Sequence, residues 1–312
     1  MVSESLVHAC AGGAGGLVAM TATYPLMAIS TRAAVDRSKN PGESLLKALR
    51  TVLEKEGVLG LYDGLGSSLL GIGVSNFVYY FFFEAARDFI LTSKRLTHST
   101  AATLGTLTTL ESIVAGLIAG CATAVTSNPI WVINTRQTVR ITQKTEDGVA
   151  APVVRRLSFL ATLRSIVEKD GVRALWKGIG PALVLVTNPV LQYTVFEQFK
   201  AWLLASRTPT ARATALRDWD YFWLGAISKL IATSITYPQI VIKARQQAMS
   251  NDMPGRKKVN VWTAMTEVVH DEGFGGLYRG ISSKLLQSIL TAAILFASKE
   301  RLYRITKMLL AK

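Results

Sequence analysis

Histidine and cysteine are scarce in this chain: three and two residues among 312. Cys10 and Cys121 make neither a disulfide framework nor a zinc site by themselves, so small packed side chains are their expected role. His8, His98 and His270 give no basis for histidine catalysis. The chain also lacks a Walker loop, an H-E-x-x-H pair and a plausible catalytic triad. The expectation is a protein that is not an enzyme and needs no cofactor. Charge is scarce as well. Charged residues make up 18% of the chain and hydrophobic ones 49%, which excludes a disordered polypeptide. Acids are the rarer sign, 21 against 35 Lys and Arg, for a net charge of +14.

The apolar residues come in long uncharged runs, which exclude a simple soluble basic protein. Between Glu4 and Arg32 lie 27 residues without charge; Gly64–Phe83 adds 20, Ser112–Thr135 24 and Gly178–Phe196 19. A spanning helix needs roughly 20 mostly apolar residues. Two further runs carry one cation each: Tyr221–Ile242 contains Lys229, and Ile281–Ser298 contains Lys284. Six transmembrane helices are predicted. The first run is not expected to be a secretory signal, because Glu4 and no Lys or Arg precedes it. Neither a mitochondrial presequence nor an S-K-L type terminus is read, so targeting is expected to be internal.

The chain repeats itself three times. Pro25, Pro129 and Pro238 each follow an apolar run, spaced by 104 and 109 residues. Seven residues past each stands Arg32, Arg136 or Arg245; thirteen before each stands Gly12, Gly116 or Gly225. Glu56-Gly57, Asp170-Gly171 and Glu272-Gly273 follow. Then come Tyr62-Asp63-Gly64, Trp176-Lys177-Gly178 and Tyr278-Arg279-Gly280 in the same register. A third mark reads Glu84/Arg87, Glu197/Lys200 and a degenerate Glu300/Tyr303. Marks in matched order indicate internal repeats, with boundaries expected at 1–95, 106–205 and 216–308. Each reads as a long helix, a short amphipathic helix (Ser44–Lys55, Ser158–Lys169, Val261–His270) and a second long helix. Gly12/Gly16 and Gly116/Gly120 are small-x-x-x-small pairs that let helices approach closely. In the third repeat Lys229 takes the second of these places, nine residues before Pro238.

These marks resemble the mitochondrial carrier family, whose signature is P-x-[DE]-x-x-[KR]-x-[KR] followed by acidic-Gly and aromatic-basic-Gly segments. The resemblance covers essentially the whole chain. It implies an all-α membrane protein: six transmembrane helices in three pseudo-threefold repeats, with three short amphipathic helices, around one central site worked by alternating access. In the family the signature acids and bases form a ring of ion pairs closing one end. Here the acidic position holds Met27, Trp131 and Ile240, and the first basic position Ser30, Asn134 and Lys243. That ring cannot form. At the other end Glu84/Arg87, Glu197/Lys200 and Glu300 retain the means for inter-helix pairs, so that gate is expected to close more firmly.

The string Asn128-Pro129-Ile130-Trp131-Val132-Ile133-Asn134-Thr135-Arg136 resembles the peroxisomal branch of the family, most of all the adenine nucleotide carriers of fungal peroxisomes. So do Tyr24–Arg32 and Lys284–Ala293. The resemblance implies a multi-pass protein of the peroxisomal membrane (the mitochondrial inner membrane is the alternative). It implies exchange of cytosolic ATP for lumenal AMP or ADP, supplying fatty-acid activation and β-oxidation. A carrier of NAD, CoA or another nucleotide cofactor is the second reading, and a transport-inactive membrane scaffold the third. Expected partners are adenine nucleotides as cargo, the lipid bilayer and the peroxisomal membrane-protein import machinery, with no nucleic acid and a functional monomer. Arg155-Arg156 and Arg256-Lys257-Lys258 are basic clusters that could serve import or meet anionic lipid, or be plain solvated loops.

Central contact points in the family lie seven residues after each even-helix glycine. That places Gly71, Gln287 and either Leu185 or Val184 at the site. Gly71 with Ile72 would leave a flat slot for a planar ring. Asn76, Asn188 and Gln192 offer amide groups that can read a base edge. Tyr79, Tyr80 and Tyr193 are stacking candidates, while Phe81, Phe82 and Phe83 read as packing or lipid-facing residues. Ionisable residues at membrane depth mark pathways, which favours Lys229 as a site residue; Lys284 reads equally as a site residue or as one snorkelling to an interface. With Lys243, Arg32, Arg136 and Arg245 they would make an anion-attracting path.

Overall fold

The computed structural model describes residues 4–36, 45–97, 107–139, 157–206, 218–249 and 260–294. Glu300, Arg155-Arg156 and Arg256–Lys258 lie outside these residues. The first repeat comprises α1 (Glu4–Val35), α2 (Leu45–Gly60) and α3 (Leu65–Thr97). The second comprises α4 (Thr109–Val139), α5 (Phe159–Asp170), a tight turn at Val172–Trp176, α6 (Ile179–Leu185) and α7 (Asn188–Ser206). The third comprises α8 (Asp218–Ala248), α9 (Val261–Glu272), a tight turn at Phe274–Tyr278 and α10 over 281–294. Ser158 caps α5 by accepting from the Ala161 amide. Each short helix breaks at its acidic-Gly mark, where Gly57, Gly171 and Gly273 take positive φ of 71°, 79° and 75°.

The expected prolines do not end their helices. Pro25, Pro129 and Pro238 lie inside α1, α4 and α8, each of which runs ten residues further, to Val35, Val139 and Ala248. A proline inside a helix orphans the carbonyl four residues earlier, and no water replaces that bond in a bilayer. In α4 the orphan is the Val125 carbonyl, and the Trp176 indole donates to it at 3.0 Å. A side chain from the aromatic-basic-Gly mark thus repairs the bend. The run Gly178–Phe196, predicted as one helix, is instead broken at Val186-Thr187 between α6 and α7. Pro189 supplies the reason: it has no N–H for the ladder and crowds the preceding turn.

Even helices pack on the odd helix of the next repeat: α3 on α4 and α7 on α8. Thr23 and Thr291 hydroxyls meet at 2.9 Å and tie α10 back to α1, closing the ring. The odd helices α1, α4 and α8 also meet pairwise. Buried apolar clusters gather in their C-terminal halves. Tyr24 packs with Met20 and Ala28; Val132 and Ile133 with Ile166 and Leu175; Tyr237 with Val241 and Ala34; Ile242 with Val268 and Leu277. By contrast α7 has no buried residue. Among the described residues the buried clusters lie where the prolines are. Outward faces are apolar stripes: Leu110, Val114, Ile118 and Val125 on α4, Phe77 and Phe81 on α3, Trp223, Ile227 and Ile235 on α8. α3, α4 and the segment Val172–Ser206 have the length and hydropathy of membrane spans.

Candidate functional site

The proline end is tied by three equivalent clasps. Arg32 holds both Glu56 oxygens at 2.8 and 3.0 Å and donates from Nε to the Thr138 carbonyl at 2.8 Å. Arg136 pairs with buried Asp170 and donates to the carbonyls of Gln247 at 3.3 Å and Met249 at 2.6 Å. Arg245 holds Glu272 at 2.6 and 2.8 Å and donates to the Ala34 carbonyl at 2.8 Å. Each arginine thus joins its own short helix to the C-terminal carbonyls of the next odd helix: α1 to α4, α4 to α8, α8 to α1. A helix C-terminus presents unpaired carbonyls and partial negative charge, so a cation there satisfies both. Lys177 adds a second cation at Met249 (2.9 Å) and Arg279 a second at Asp36 (2.7 Å). The first repeat carries Asp63 in the equivalent place.

The even-helix glycines complete the seal. Gly64, Gly178 and Gly280 have φ of 84°, 78° and 80°, and each abuts the odd helix of the following repeat. The Gly64 carbonyl accepts from Asn134 at 2.8 Å, and the Gly280 carbonyl from Ser30 at 3.0 Å. A Cβ on Gly178 would come within 3.1 Å of the Lys243 carbonyl. Tyr24, Asn128 and Tyr237, each just before its proline, donate to the carbonyls of Asp63, Leu175 with Lys177, and Arg279. The expected loss of the charged ring is therefore met by arginine-to-carbonyl bonds, which hold the depleted end closed.

Above this seal stand three lysines of the third repeat, Lys243 and Lys284 half-buried and Lys229 exposed. Lys243 points from α8 toward α4, its ammonium 6.0 Å from the Trp131 ring centroid. Lys284 lies within electrostatic reach of both Lys243 and Lys229. Lys229 sits two positions past lipid-facing Ile227, about 200° round the helix, and meets the Asn188 side-chain oxygen at 3.4 Å. Among the described residues no carboxylate pairs with any of the three. Lys284 itself is half-buried.

Asn188 also donates to the Ala232 carbonyl and to Thr236, which fixes it against α8. Gln192 follows one turn later on the same face of α7. Asn76 shares an α3 face with Ile72, Tyr79 and Phe83, away from the Phe77/Phe81 stripe. Gln287 is buried, and its side-chain oxygen has no partner among the described residues. A cavity of about 510 Å³ opens between α4 and α7, bordered by Tyr79, Gly116, Gly120, Leu185 and Tyr193. Of the two candidates left open by register, Leu185 borders this cavity, whereas Val184 lies exposed with Leu183.

Two expectations are corrected. The flat slot at Gly71 and Ile72 is already filled. Trp131 lies on Gly71, where a Cβ would come within 3.3 Å of two indole carbons, and its Nε1 donates to Ser75 at 3.2 Å. At the far end, Glu84–Arg87 (2.9 Å) and Glu197–Lys200 (3.4 Å) pair within their own helices, three residues apart, and not across helices. A link across helices at this end is made elsewhere, by Lys94 of α3 and Glu111 of α4 at 2.6 Å. Sequence reading missed Trp131, Ser75 and the bonding roles of Ser30, Asn134, Tyr24, Asn128 and Tyr237. For all of these but Ser75, the matched position beside a proline or signature arginine was the available signal.

A ring of helices, three of its segments with the length and hydropathy of membrane spans, clasped together at one end, has the build of a membrane solute carrier. The chain matches the mitochondrial carrier protein family over residues 2–94, 105–207 and 215–308, and it belongs to that family. It is 33% identical to the peroxisomal nicotinamide adenine dinucleotide carrier of Arabidopsis thaliana, covering 99% of this chain and 98% of the relative. It is 32% identical to the peroxisomal membrane protein PMP47B of Candida boidinii (96% and 86% covered). Identity to the peroxisomal membrane protein PMP34 of Mus musculus is 31% (96% and 92%). With these relatives it is a multi-pass carrier of the peroxisomal membrane.

Proposed function

We propose that this carrier exchanges cytosolic ATP for lumenal AMP or ADP, supplying ATP for fatty-acid activation and β-oxidation inside the peroxisome. The observation that carries the reading is that Lys284 stands within electrostatic reach of both Lys229 and Lys243, and that among the described residues no carboxylate pairs with any of the three. Uncompensated cations in a low-dielectric cleft attract phosphates. In this reading the phosphates lie on the third repeat. Asn76, Asn188, Gln192 and Gln287 supply the amides that meet the base and ribose, with Ile72 and Leu185 as apolar walls. The gate residues are Pro25, Arg32, Pro129, Arg136, Pro238 and Arg245 at one end, and Glu84, Arg87, Glu197, Lys200 and Glu300 at the other. The repeats divide at 1–95, 106–205 and 216–308. The protein acts as a monomer and reaches its membrane through the import machinery for peroxisomal membrane proteins.

A second reading, a carrier for NAD, is favoured by the similarity to the Arabidopsis thaliana NAD carrier over nearly the full length of both chains. Reconstitution into liposomes separates the two. Uptake of labelled ATP driven by internal AMP, with weak competition by NAD and CoA, supports adenine nucleotide exchange. Preferred NAD or CoA flux moves the assignment to a cofactor carrier. No flux with any nucleotide leaves a membrane scaffold.

A further inference from the structure

The signature position that would carry an acid holds Trp131, and its surroundings are specific. The indole lies over Gly71, where an added Cβ would come within 3.3 Å of two of its carbons, donates to Ser75 at 3.2 Å and presents its ring to Lys243 at 6.0 Å. Gly71 permits this fit, because any Cβ there would press into the ring. Lys243 in turn stands within reach of Lys284, another cation. An aspartate at position 131 would neutralise Lys243 and cancel part of the field in the cavity. An aromatic face holds an ammonium more weakly than a carboxylate does and leaves its charge uncompensated.

We propose that Trp131 is a positioning residue for the cargo: it holds Lys243 by its ring, excludes a counter-ion, and so reserves that ammonium for a phosphate of the substrate. This rests on the reading of the cargo as a phosphorylated nucleotide. When a phosphate arrives, Lys243 leaves the indole for a charge-assisted hydrogen bond, the stronger contact. The ring is then free to lift from Gly71, which couples cargo binding to the seal just below it. Trp131 touches the transported molecule only through Lys243.

The test uses full-length protein in liposomes and in detergent. W131F keeps a ring and is expected to stay within about threefold of the natural KM for ATP. W131E supplies the missing acid and is expected to raise that KM about tenfold, the loss of one charge-assisted hydrogen bond. If Trp131 acts through Lys243, W131E adds nothing further in a K243Q background. A second readout is tryptophan emission, titrated with inorganic tripolyphosphate on purified protein: a change is expected in the natural chain and lost in W131F. An unchanged KM in W131E, full additivity with K243Q, or an emission change that survives in W131F overturns the proposal. Absent nucleotide flux with a tripolyphosphate response intact would instead overturn the function proposed above and leave the role of Trp131 standing. Thermal unfolding of each variant separates these results from misfolding.

Discussion

The two ends of this bundle are built from the same repeats and are held in opposite ways. At the proline end, each signature arginine (Arg32, Arg136, Arg245) crosses to a neighbouring helix and Gly64, Gly178 and Gly280 each abut one. At the far end the signature pairs Glu84–Arg87 and Glu197–Lys200 close on their own helices, and Lys94–Glu111 bridges two helices there. A pair three residues apart on an exposed helix face contributes about 0.2–0.5 kcal/mol, whereas breaking a buried pair costs about 3–5 kcal/mol. The difference teaches that the side chains named by a signature do not alone decide which end is shut. What decides is whether an acceptor on the next helix stands within reach.

The largest effect is expected from Arg245→Ala. Arg245 and Glu272 are 6% and 7% exposed, so the variant leaves a buried carboxylate with Arg279 as its remaining partner. Loss of exchange and a destabilisation of about 3 kcal/mol are expected in transport and thermal unfolding measurements. Arg32→Ala should do less, because Arg32 and Glu56 are 17% and 24% exposed; equal losses would show that burial does not grade the clasps. Next comes Gly280→Ala, which forces a side chain into positive φ and within 2.7 Å of the Ser30 carbonyl. A cost of about 1–3 kcal/mol is expected, read as a lower unfolding temperature and slower exchange. Met27→Asp with Ile240→Asp restores two signature acids. Slower exchange or a shifted cysteine-accessibility pattern is expected; identical kinetics and accessibility would mean that the carbonyl clasps already saturate closure at this end. The smallest effect belongs to Glu84→Gln and Glu197→Gln, about 0.5 kcal/mol or less on stability. A large loss of exchange without a change in stability would reveal that these acids cross between helices in the opposite state of the cycle.

Most of the fold was legible because periodicity and repetition are one-dimensional properties. The acidic-Gly marks and the short helices fall where their spacing put them, within a residue or two at the ends, save that α2 runs on to Gly60 past its break at Gly57. Lys229 and Asn188 were legible for a similar reason: a polar side chain amid an apolar run has few places to go. The clasps were not legible. Their acceptors are the carbonyls of Thr138, Gln247 and Ala34, and a backbone carbonyl leaves no mark in a sequence. Trp131 was quoted as part of a resemblance, but its seat on Gly71 is a contact between two repeats, which no register within one repeat reveals. The break at Val186-Thr187 was announced by Pro189 and hidden by the absence of charge around it.

Because the lock recognises main-chain oxygen, it does not depend on which side chains decorate the ends of α1, α4 and α8. Substitution can therefore proceed at that depth without unfastening the molecule. Residues elsewhere committed to holding the door become available for tasting what passes through it, and a tryptophan facing a lysine is what one chain has made of that liberty.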